Sequence, residues 1–424
     1  MPNRVERLLR RTAYRYYTRR GDLLVPLTNP VNWPRSVEMY DAMRERGHVY
    51  VSKASKIPVI TTHEAVTAIL KDTRFKSGPP NKSNDPTQAI FNADSLVNMD
   101  PPRHTQIRKL LTKGFTLKSI EAMAPWITEL CHELLDNIEG RREFDAVPEL
   151  AMPVPIHVIC KLLDIPTEFV PQLCTWGEDI GPSIDPFMTP RQIRAARKSS
   201  VEIIDYFRDL VAERRGQLGD DVLSAFIQAS EDGVGLTETE LLATCQLILL
   251  AGFGTSVGML GNLVRRLTEN EGSWQMLQER PELIPLAVEE TLRMDSPVQV
   301  TLRYVLEPTE FYGVRIPAGQ RTIALIAGAN RDPAVFPDPH RFDITRENAS
   351  RQLAFSPGIH HCLGSSLARM EGRILLQAML ERLPDLKSAG PAKLWPTLAY
   401  RSALSVPVSV SPQVLARTES VRAS

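Results

Sequence analysis

The chain has 424 residues, with 50 basic and 50 acidic side chains and a hydrophobic fraction of 43%. That balance excludes recognition of nucleic acid or of an acidic partner through net charge, and the apolar content suits a soluble globular protein. Cys131, Cys160, Cys174, Cys245 and Cys362 form no CxxC pair, so neither a zinc site nor a redox dithiol is suggested, and they read as free thiols in a reducing cytoplasm.

Residues 1–29 read as a basic leader. Arg4, Arg7, Arg10, Arg11, Arg15, Arg19 and Arg20 interrupt any signal-peptide core, and a solvated helix is favoured over one lying on a membrane surface. Val49–Val51 and Pro58–Thr61 predict a hairpin. The Pro-, Asn- and Ser-rich stretch 76–98 predicts a long irregular binding segment. Residues 103–270 are mostly helical in pattern, broken near Pro153–Pro155, Pro166 and 181–190.

Thr237 and Glu240 have capping-box spacing and open an apolar helix reaching about Glu269. At a rise of about 1.5 Å per residue it would be nearly 50 Å long. Leu241–Leu260 carries no charge, enough by length for a membrane span, but Thr244, Gln246, Thr255, Ser256 and the glycines favour a buried central helix. A helix after Pro281 closes at Asp295-Ser296-Pro297. Strands follow at 298–305 and 309–326, then a helix over about 365–383 and a small terminal sheet near 402–410. The pattern predicts a mainly α fold with small β-sheets over 30–411, and a disordered tail over 412–424.

The chemistry concentrates in Phe355-Ser-Pro-Gly358-Ile-His360-His361-Cys362-Leu-Gly364. Gly358 and Gly364 permit a tight turn and close approach to a flat ligand. Amides of the loop and of the helix after it favour an anionic Cys362 sulfur. Phe355 is placed to pack beneath the sulfur. This segment resembles the cysteine loop of the cytochromes P-450, in which thiolate-ligated haem is general.

The resemblance extends from about residue 30 to 410. Glu290-Thr-Leu-Arg293 resembles the family's Glu-x-x-Arg pair, and it implies a buried structural network of Glu290, Arg293 and Arg341. It implies haem b as cofactor, Cys362 as the iron ligand, and His104, Arg108, Arg303 and His360 as propionate contacts. In the central helix, Ala251-Gly-Phe-Gly254-Thr255 aligns with a pattern whose acid and threonine deliver protons to bound oxygen; Thr255 is present, but the acid position is Gly254. Two helix glycines cost roughly 1 kcal/mol each relative to alanine, and they suggest room for oxygen, water or substrate.

The implied activity is insertion of one oxygen atom from dioxygen into a moderately hydrophobic small molecule. Peroxide use, redox-neutral haem chemistry and ligand binding without turnover are the alternatives. The implied enzyme is a monomer without a transmembrane segment, fed electrons by a ferredoxin or flavodoxin with its reductase. Arg108, Lys109 and Lys113 are candidates for that docking. Phe91, Val298, Val300 and Ser402 are expected to border the substrate pocket.

Overall fold

The structure, a computed structural model, describes residues 4–78, 94–184, 188–219, 221–231, 235–395 and 397–411. Phe91 and the expected tail over 412–424 lie outside the described residues.

The helix predicted from Thr237 runs over Glu238–Glu269. The Thr237 hydroxyl accepts from the Glu240 amide at 3.2 Å, and the Glu240 carboxylate accepts from the Thr237 amide at 2.8 Å. Both orphan donors of the first turn are thereby satisfied. Arg103 also donates to Glu240 at 2.7 Å, and this bond chiefly brings the Glu240 carboxyl down to about 2. The helix is long and apolar enough to cross a membrane, yet 67% of its most apolar window is buried inside the fold. Its neighbours are the helices Pro153–Leu163, Pro190–Arg214, Ile284–Met294 and Ser365–Arg382. Leu241, Cys245, Leu249, Leu260 and Leu263 join the main core there.

Beside this helical body lies a five-stranded sheet with Val49–Val51, Pro58–Ile60, Arg321–Ala324, Thr301–Val305 and Phe75–Lys76 side by side in that order. The predicted hairpin pairs Val49 with Ile60. Register sets Arg303 opposite Thr322, and Arg303 is buried. The terminal strand Pro407–Ser409 pairs with Lys387–Ser388 and with Glu143–Asp145. That last strand, and the π-turn over Val147–Ala151, interrupt a stretch whose pattern reads as helix.

The leader divides in two. Arg4–Arg19 is helical, but Asp22 is buried and accepts from the amides of Leu24 and Val25 and from the Ser52 hydroxyl. Leu27 joins a second core with Tyr40, Met43 and Tyr50. Residues 22–28 therefore belong to the folded body. Local composition hides this, because the partners lie beyond residue 30.

The Glu290–Arg293 pair is fully buried and bidentate, at 2.7 and 2.8 Å. Its third member is Arg346, 3.2 Å from Glu290, and not Arg341. A turn at Asp338, with φ of 47°, leaves the Arg341 side chain exposed and points its carbonyl at Arg293, 3.0 Å away.

Candidate functional site

Gly358 turns with φ of 85°, and a Cβ there would lie 2.5 Å from the Leu70 carbonyl oxygen, so only glycine fits. Ser356 is also left-handed, with φ of 56°. The loop closes where the Cys362 amide donates to the Phe355 carbonyl at 2.8 Å and the His361 ring meets the Ser356 carbonyl at 2.8 Å. At Gly364 φ is −84°, and a Cβ would meet nothing within 4 Å. The turn itself does not demand glycine there, and the space a Gly364 side chain would occupy is open.

Cys362 has accessible area yet is enclosed by protein, so it opens onto an internal cleft. Burial pushes its thiol up, while the Gly364 amide and the Arg108 and Arg369 cations act in the opposite sense. Arg369 lies 4.4 Å over the Phe355 ring and is held by Glu289. Phe355 and Arg369 thus form one packed unit beside the loop.

Four groups able to carry positive charge gather near this cleft. The rings of His104 and His360 lie 4.3 Å apart. Both nitrogens of His104 and Nε2 of His360 are buried without a hydrogen-bond partner among the described residues. Burial, with His104, Arg303 and Arg108 close by, lowers His360 to about 3. Burial also lowers Arg303 to about 10, Asp100 being the opposing influence. Arg108 donates to the His361 carbonyl at 2.6 Å, which turns its guanidinium towards the cysteine loop. Unpaired buried donors around one space suit a ligand with more than one anionic group. The two propionates of haem would meet that requirement, and Cys362 could supply a soft ligand for its iron.

A cavity of about 680 Å³ reaches this cluster at Arg303, Ser356 and His360. Ala251 and Thr255 of the central helix line it, with Val298 and Val300 opposite. Thr255 donates its hydroxyl to the Ala251 carbonyl at 2.5 Å, leaving its oxygen free to accept. The two helix glycines do not open space towards the cavity, contrary to the expectation from sequence. A Cβ at Gly252 would strike Ile159 at 2.4 Å, and one at Gly254 would lie 3.3 Å from the Tyr400 hydroxyl. Ser402 is fully buried against Gly258 and is not part of the cavity wall. The sequence reading missed Leu24, Val25, Leu247, Leu250 and Leu398 on that wall. The apolar periodicity of the central helix marked Leu247 and Leu250 as helix-face residues, but nothing local distinguished cavity from core.

The family model for cytochrome P-450 matches residues 32–163 and 262–384. Cytochrome P-450 140 of Mycobacterium tuberculosis is 36% identical over 411 residues, covering 93% of each chain. The cytochrome P-450 monooxygenase PikC of Streptomyces venezuelae is 35% identical, covering 87% of this chain and 89% of its own. Among solved structures, P-450 BioI bound to an acyl carrier protein ligated to hexadec-9Z-enoic acid superposes with a TM-score of 0.85 at 31% identity, over 90% of this chain and all of that one.

Proposed function

The chain belongs to the cytochrome P-450 family and is a haem-containing monooxygenase; on that premise we propose that it inserts one atom of dioxygen into a moderately hydrophobic small molecule, by hydroxylation or epoxidation. The observation that carries this reading is that Thr255, Arg303 and His360 line one largely apolar cavity, with His104 stacked on His360 and Cys362 two residues further along the same loop.

Haem b, when bound, supplies the dioxygen chemistry, and thiolate donation favours cleavage of the O–O bond. The protein's share is binding, orientation and proton supply. Cys362 would hold the iron, helped in its anionic form by the Gly364 amide and Arg108. His104, Arg303 and His360 would receive the propionates, with Arg108 able to exchange its carbonyl partner for one of them. Leu247, Leu250, Ala251, Val298, Val300 and Leu398 would exclude water and orient the substrate by shape. The Thr255 oxygen would accept from a water at the reacting face.

Electrons would arrive from a separate ferredoxin or flavodoxin with its reductase. Lys109 and Lys113 are exposed on the helix Arg103–Gly114, whose His104 and Arg108 face the site, so an acidic partner there would sit close to the cysteine loop. Arg108 is committed inward and is left out of that surface.

Two measurements test the reading. Ferrous protein under carbon monoxide should show the red-shifted Soret band of thiolate ligation, and its absence would sink the proposal. Terpenoids, steroids, fatty acids and macrolides titrated into ferric protein should include one that drives a saturable high-spin shift and then yields product carrying one labelled atom from dioxygen. Product without that label would count against oxygen insertion.

A further inference from the structure

At Gly254 the side chain that the family's pattern would place there is absent, and another element fills the place. Tyr400 donates its hydroxyl to the Gly254 carbonyl. A Cβ on Gly254 would lie 3.3 Å from that hydroxyl and 3.9 Å from the ring carbon bearing it. Tyr400 is buried, and its segment cannot readily withdraw. The Gln299 amide donates to Ala399 at 2.8 Å and the Arg401 amide to Pro297 at 2.7 Å, while Tyr400 bridges to Val298. From another side, Ile159 occupies the space above Gly252. The turn carrying Ala251 and Thr255 is therefore clamped between two packed side chains.

Burial raises the Tyr400 phenol to about 12, outweighing the opposing Ser402 contact, so it stays neutral and serves as a fixed donor. A neutral phenol bound to a carbonyl does not do the work of a mobile carboxylate.

We propose that Tyr400 is a positioning residue standing in the place of the absent acid: it holds the 251–255 turn through the Gly254 carbonyl and so presents Thr255 to the cavity. Gly254 and Tyr400 then form one coupled unit. An acid introduced at 254 would displace the hydroxyl before it could relay a proton. The catalytic consequence rests on the monooxygenase reading, but the coupling between the two residues does not.

The test compares holoprotein carrying Gly254, G254A or G254D, each with Tyr400 and with Y400F. Thermal midpoint is read first, then peroxide released per NADH consumed with a surrogate ferredoxin and its reductase. G254D and G254A should lower the midpoint with Tyr400 in place and much less with phenylalanine there, a non-additive pair. Y400F alone should raise the peroxide ratio about twofold, beyond any change in midpoint, and G254D added to it should bring the ratio back towards that of the wild type. Equal midpoint losses in both backgrounds, or an unchanged peroxide ratio in Y400F, would overturn the proposal. G254A keeps the thermal comparison available where G254D does not fold. A wild type lacking the red-shifted carbon monoxide band removes the monooxygenase reading alone, and the thermal cycle still decides the coupling.

Discussion

His104 and His360 stack at 4.3 Å with three of their ring nitrogens buried and unpartnered among the described residues. Burial, aided by the nearby charges of Arg303 and Arg108, pushes His360 down to about 3. The rings are therefore held neutral between two guanidinium ions, and an anion among them would both balance the guanidinium charge and supply the missing hydrogen bonds. Haem should therefore raise the thermal midpoint of this protein strongly. Arg303→Gln should speed haem loss to a scavenger protein about tenfold, the worth of one charge-assisted hydrogen bond. An unchanged loss rate would separate Arg303 from the propionates.

Glu290 distinguishes two arginines that sequence reading confuses. Arg346 approaches its carboxylate at 3.2 Å from a buried position, whereas the Arg341 side chain is exposed. Arg346→Ala should cost about 2 kcal/mol in denaturant unfolding, because Glu290 keeps Arg293 but loses a buried charge partner. Arg341→Ala should stay within about 0.5 kcal/mol, since its carbonyl remains. Equal costs would contradict the assignment.

Glu371, on the helix that follows the cysteine loop, is buried with Oε2 unpartnered among the described residues. Burial raises its carboxyl from 4.5 to about 8, against an opposing Ser256 contact. A raised folded value means the folded state binds the extra proton, so its contribution is full below about pH 4.5. That contribution is lost as pH rises towards 8. Glu371→Gln should flatten this part of the stability profile and make the protein more stable than wild type above pH 8. Parallel curves for the two proteins would show that Glu371 titrates normally.

Lys109 and Lys113 project from the helix that also carries His104 and Arg108. Charge reversal at both should slow reduction by a ferredoxin about tenfold at low salt and much less at high salt, while thermal midpoint and substrate binding hold. A salt-independent rate in the reversed protein would move the docking surface elsewhere.

The elements legible in the sequence were those set by local physics. The capping box at Thr237 and Glu240, the hairpin around Val49–Ile60 and the glycine at 358 each follow from a few neighbouring residues. The loop around Cys362 and the Glu290–Arg293 pair were equally plain, because their meaning lies in short spacing. The order of these motifs along the chain was enough to indicate the family and its haem.

What only the tertiary structure decided was which distant residues come together. The choice of Arg346 over Arg341 depended on how one turn at Asp338 directs two arginines five residues apart. The inclusion of Leu24 and Val25 in the cavity wall depended on Asp22 anchoring to Ser52. Ser402 left the pocket because the central helix has a glycine at 258 for it to pack against. The tyrosine at Gly254 comes from 146 residues further along the chain. No local pattern encodes that contact, since its cause is the close packing of the segment around Tyr400 against a glycine's bare face.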